Sequence, residues 1–154
     1  MIKYIKKLIR NNKVKRIQQI EPYKLFTEKC TKELKIISSF EEDDYCIKIG
    51  GYNNQSETVI CPLDGTIVVD YYNNIITIDH GYFFINGKIK RVMTEYWNLE
   101  EILIETNKDK KVTAGEELGR MGRNFMDGYY LEFRLFIDYE SVDPVPFFEA
   151  SYNE

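Results

Sequence analysis

Residues 128–144 read Gly128-Tyr-Tyr-Leu-Glu-Phe-Arg-Leu-Phe-Ile-Asp-Tyr-Glu-Ser-Val-Asp-Pro144, a strand pattern that runs into a turn and an Asp-Pro stop. Alternation puts Tyr130, Glu132, Arg134 and Phe136 on one face and Leu131, Phe133, Leu135 and Ile137 on the other. One side is firmly apolar and belongs against a core; the other carries the residues that could do chemistry. From residue 45 onward the same β texture recurs, punctuated by Gly50-Gly51, Asn53-Asn54, Asp64-Gly65, Asn73-Asn74 and Asn86-Gly87. Residues 83–89 predict a hairpin on Asn86-Gly87, because both central positions of such a turn need positive φ. The 12 tyrosines and 9 phenylalanines favour strands over helices.

Four further segments, taken in order, extend the pattern: Pro62-Leu63-Asp64-Gly65-Thr66-Ile67, Ile76-Thr77-Ile78-Asp79-His80-Gly81, Tyr96-Trp97-Asn98-Leu99 and Val112-Thr113-Ala114-Gly115-Glu116-Glu117-Leu118-Gly119. With Gly128-Tyr129-Tyr130-Leu131-Glu132-Phe133-Arg134 and Val142-Asp143-Pro144, this ordered set resembles the LytM/lysostaphin-type zinc metallopeptidases (duplicated hybrid motif) over residues 45–148. The resemblance implies a mainly β fold: a small twisted antiparallel β-sandwich or sheet of the LytM peptidase type. That family cuts cell-wall peptides with a zinc ion held by the His and Asp of a His-x-x-x-Asp motif and by the second His of His-x-His.

Carried over residue by residue, the resemblance places Cys46 and Gly50 at the first two ligand positions and Glu132 at the third. Asn98 and Tyr130 stand at the two catalytic histidines, so all five positions differ from the family pattern. Thiolate and carboxylate are legitimate zinc ligands, but Cys46 and Glu132 are two, and a catalytic zinc keeps three protein ligands and an open place for water. The resemblance therefore implies an inactive module without a cofactor, for which the relic cleft of Cys46, Gly50, His80, Tyr96, Trp97, Asn98, Tyr130 and Glu132 is the expected binding surface. Its expected partner is a protein or a cell-wall peptide, with scaffolding or regulation as the role. The alternative is an atypical metal-dependent peptidoglycan endopeptidase built on Cys46 and Glu132, with a third ligand from Asp43, Asp44 or His80. His80, the only histidine, reads by itself as a hydrogen-bonded structural imidazole. A biotinyl or lipoyl carrier would use residues 62–69 and 112–119 as half-motifs, but Lys88 has no flanking Met and the Val-Asp-Pro segment is left unexplained.

Upstream, residues 1–44 read as an N-terminal helical segment and residues 45–150 as the β domain. Ile2, Ile5, Leu8, Ile9, Val14, Ile17 and Ile20 mostly suit a helical stripe, and a second, weaker pattern runs through Leu25, Phe26, Cys30, Leu34 and Ile37, so one or two helices are expected here. Residues 1–20 hold seven of the 21 Lys/Arg and no acid, against 25 Asp/Glu in the rest of the chain. A basic leader on an acidic body suits a docked helix with solvated lysines, or contact with an anionic membrane surface; nucleic acid is the weaker candidate. No apolar run is long enough for a membrane helix and no signal peptide is readable, which points to a cytoplasmic or membrane-peripheral location. Cys30, Cys46 and Cys61 lack Cys-x-x-Cys spacing and read as buried thiols.

Overall fold

The protein, seen in a computed structural model, is described over residues 14–20, 25–43, 45–68, 74–105, 107, 109–124 and 128–149. The strands are β1 (Val14–Ile20), β2 (Lys35–Ser38), β3 (Ile47–Gly50), β4 (Thr58–Ile60), β5 (Gly65–Val68), β6 (Ile76–Ile85), β7 (Lys88–Trp97), β8 (Leu99–Ile102), β9 (Lys111–Val112), β10 (Glu117–Asn124), β11 (Gly128–Ile137) and β12 (Glu140–Val142). Two short α-helices, α1 (Phe40–Asp43) and α2 (Val145–Glu149), and a 3-10 turn at Tyr52–Asn54 complete the described elements. The twelve strands join in one sheet with the main path β2-β3-β11-β7-β6-β5-β9. Along that path every pairing is antiparallel. β10 pairs β11, β4 and β8, with register shifts against the last two. The mainly β, largely antiparallel architecture expected from the sequence is the one observed.

Strand β11 is central: it lies between β3 and β7 and also pairs β10 and β12. Leu131, Phe133 and Leu135 are fully buried, as the alternation predicts. Phe133 meets Tyr96 edge-on at 5.4 Å and Phe148 at 5.3 Å, and Phe26 stacks on Phe148 at 4.3 Å. Asp143 accepts the Val145 N–H, so the Asp-Pro stop caps α2 and seats Phe147 and Phe148 in the core. The β6–β7 hairpin turns on Asn86 (φ 51°) and Gly87 (φ 78°), the conformation the Asn-Gly pair favours.

The N-terminal helical reading needs correction where the chain is described. Residues 1–13 lie outside the described residues, but Val14–Ile20 is a strand that runs parallel to β6. Its Val and Ile residues are β-branched, and pairing with a sheet outweighs a helical spacing that only tertiary contacts could have stabilised. Residues 25–34 form no helix either. Their backbone bonds go across the fold: Thr27 and Glu28 N–H both donate to the Pro62 carbonyl, and the Cys30 carbonyl accepts from Ile60. Leu25, Phe26 and Cys30 are buried as the pattern implied, although by a loop. Within the acidic run only one helical turn forms; Ser39 receives the Glu42 N–H and donates back to the Glu42 carboxylate at 3.1 Å. Strands β1 and β2 thus bring residues from the expected helical segment into the sheet itself.

Candidate functional site

On the central strands, residues directly opposite one another share a face. Tyr130 lies opposite Gly50, Glu132 opposite Lys48 and Trp97, and Arg134 opposite Glu95. The face away from the core, here the front face, therefore gathers Gly50, Tyr130, Glu132 and Trp97 from the sequence-derived set. Asn98 joins them from the turn between β7 and β8, with φ 68°, a left-handed conformation that Asn tolerates better than most residues.

Each of these groups is committed within the protein. Glu132 takes hydrogen bonds from Arg134 Nη2 (2.7 Å) and Nε (3.2 Å), and the same guanidinium lies 4.1 Å from the Trp97 ring centroid. Both partners of this ion pair keep some exposure, so it contributes on the order of 1 kcal/mol. Trp97 Nε1 donates to Glu95 (3.0 Å), whose other oxygen accepts from Thr77. Asn98 Nδ2 donates to the Tyr130 carbonyl (3.0 Å), while its own carbonyl receives the Gly122 N–H at 2.6 Å. The Tyr130 hydroxyl accepts from Asn124 Nδ2 (3.1 Å), and the Lys48 ammonium lies 5.2 Å from the ring centroid. Tyr130 is only 8% exposed, although it lies on the front face.

His80 and Tyr96 are placed elsewhere. Both are fully buried on the core side, joined through Thr94. The Asp64 carbonyl can only accept, so His80 Nδ1 donates to it (2.9 Å). Nε2 then takes the Thr94 hydroxyl proton (2.7 Å), and Thr94 Oγ1 accepts from the Tyr96 hydroxyl (2.8 Å). Burial keeps that phenol protonated by raising its pKa well above the ordinary range. The chain explains why imidazole and phenol sit in an apolar core: every polar atom has a partner. These two residues offer no exposed atom to a ligand and drop out of the cleft. His80 instead fulfils its reading as a hydrogen-bonded structural imidazole. Gly65 fits tightly beside it, since a Cβ there would lie 2.7 Å from the Asp79 carbonyl and 3.0 Å from His80 Nδ1.

Cys46 is buried immediately before β3. Cys30 and Cys61 are buried as well, none of the three is in a disulfide, and burial pushes the Cys61 thiol up to about 12 and Cys30 further still. Among the described residues no three His, Cys, Asp or Glu side chains are grouped to hold a metal ion. Sequence reasoning did not include Arg134, Glu95 and Lys48 in the site. The first two carried a visible signal, because they share the alternation parity of Glu132 and Trp97.

Several solved structures share this arrangement of strands. The match to the antimicrobial peptidase lysostaphin of Staphylococcus simulans has a TM-score of 0.57 at 16% identity, over 83% of this chain and 53% of lysostaphin. The fold is that of the LytM-type peptidases. Helicobacter pylori Csd3 also shares the LytM-like fold, with a TM-score of 0.60 at 14% identity over 79% of this chain, which spans only 34% of Csd3. A chain of the SpoIIQ–SpoIIIAH pore-forming complex matches with a TM-score of 0.59 at 16% identity, over 83% of this chain and 93% of that one. No family model and no curated protein sequence matches the chain.

Proposed function

We propose that this protein is a catalytically inactive LytM-fold module that binds a protein or a cell-wall peptide and serves as a scaffold or regulator. The observation that carries this is the commitment of the relic catalytic positions to the fold. Gly50 offers no donor atom, Glu132 neutralises Arg134, Asn98 clamps the Tyr130 backbone, and the Tyr130 hydroxyl is held by Asn124. A zinc peptidase needs three ligands and a free position for water, and this set of donors does not fit that ion. The match to a chain from the SpoIIQ–SpoIIIAH complex supports a protein partner, because there the same fold occurs within an assembly. For the alternative Cys/Glu metal centre, no third ligand is grouped with these two among the described residues, and Asp44 and the Asp43 side chain lie outside them.

The binding surface is the half-exposed part of the front face: Trp97, with Glu95, Glu132 and Arg134 around it. Aromatic and arginine side chains fixed on a rigid sheet suit recognition. A photo-crosslinking side chain at Trp97 should give a discrete adduct with one protein or with cell-wall peptide in the source cells. The same group at Tyr139, on the β11–β12 turn, should not. Release of new amine termini from isolated cell wall by the zinc-loaded protein would overturn the proposal. No described helix is long and apolar enough to cross a membrane.

A further inference from the structure

We infer that the place where the LytM fold builds its metal centre is closed in this protein by its own strand β2, so that ligand loss and loss of space are two separate barriers to zinc. The inference rests on the fold and not on the proposed binding role, and the two can fail independently.

Gly50 takes the position of the family's ligand Asp, and it lies opposite Tyr130 in the β3–β11 register. A side chain at 50 would therefore project onto the front face, beside Tyr130 and towards Glu132. That volume is filled. A Cβ built on Gly50 would stand 2.9 Å from Ile37 Cγ2, with Lys35 Cδ at 3.8 Å and Ile37 Cδ1 at 3.9 Å. Gly50 is not among the glycines with positive φ, so its backbone does not require glycine; the neighbouring strand does. The register of β2 on β3 shifts between Ile36 and Ser38, which makes Ile37 the extra residue and turns its side chain across Gly50. Ile37 itself is 38% exposed, forming the outer surface of this cover.

An aspartate at position 50 would have to displace Ile37 before it could reach an ion. Restoring ligand chemistry alone should therefore fail. The test compares the variant Cys46→His/Gly50→Asp/Glu132→His with the same variant carrying Ile37→Ala, using zinc competition against a chromogenic chelator and circular dichroism to verify folding. Removing Ile37 should tighten zinc binding by about 10–100-fold, the affinity equivalent of relieving one overpacked contact. Equal zinc affinity in two folded variants, or binding by neither, would overturn the inference.

Should the triple variant not fold, Gly50→Ala answers the same question. With Ile37 in place it should lower Tm by about 3–9 °C; in the Ile37→Ala background the loss should shrink to about 2 °C or less. Additive losses would show that Ile37 does not close the position.

Discussion

The two faces of β7 and β11 follow different rules. On the core face, Tyr96, Thr94 and His80 form one closed hydrogen-bond chain beside the aromatic cluster around Phe133. On the front face, one residue away along the same strands, Trp97, Glu95, Glu132 and Arg134 form a lattice that is partly open to water. Asn98, Tyr130 and Glu132 on the front side stand where the resembled family places histidines. The difference teaches that the core side is closed to water and satisfies its own polar groups, while the front side holds its polar groups by ion pairing and stacking at a partly open surface.

That comparison is open to measurement. Phe133→Ala removes the centre of the aromatic cluster and should cost about 3–5 kcal/mol in denaturant unfolding. Thr94→Val leaves His80 Nε2 and the Tyr96 hydroxyl buried without their shared partner, at a cost of about 1–3 kcal/mol. Trp97→Ala should cost roughly 1 kcal/mol, since it loses a stacking contact and a part-buried hydrogen bond at the partly open face. A Trp97 cost equal to that of Phe133 would erase the distinction between the faces.

The smallest effect is on acid stability. Burial works to raise the Asp79 pKa, but its hydrogen bond and ion pair with Arg91 and the Gly81 N–H bring it below the ordinary 3.8. The carboxylate therefore stabilises the fold above that pH, and the contribution is lost as pH falls through the lowered folded value. Asp79→Asn should flatten the acid limb of the stability profile below about pH 4. A limb of unchanged steepness would assign acid sensitivity to other carboxylates.

Much of the frame was legible because its signals are local. Asn86-Gly87 announces its turn, and the alternation of residues 130–137 shows which side is core. The turn at Asp138 (φ 50°) and Tyr139 (φ 65°) has no such signature, since tyrosine seldom adopts this conformation. It is held by Asp138, whose carboxylate accepts the Arg91 N–H from the neighbouring strand. Strands β1 and β2 were masked by helical spacing, because what makes them strands is pairing with other strands: β6, more than 60 residues on, for β1, and the next strand, β3, for β2. At the site, parity already separated Tyr96 from Trp97: adjacent strand residues cannot both line one cleft. Nothing local could reveal that Ile37 covers Gly50, which follows from a register shift between two strands.

The position of β11 also governs the order of assembly. It is the eleventh strand along the chain, yet β3 and β7 are joined through it. During synthesis, β3 emerges roughly 5–15 s before the neighbour that completes its pairing, at about 5–20 residues per second. Through that interval β3 has only β2 beside it, and the β6–β7 hairpin presents an unpaired edge. Nascent chains of this protein are therefore most exposed to edge-to-edge association just before residues 128–137 leave the ribosome.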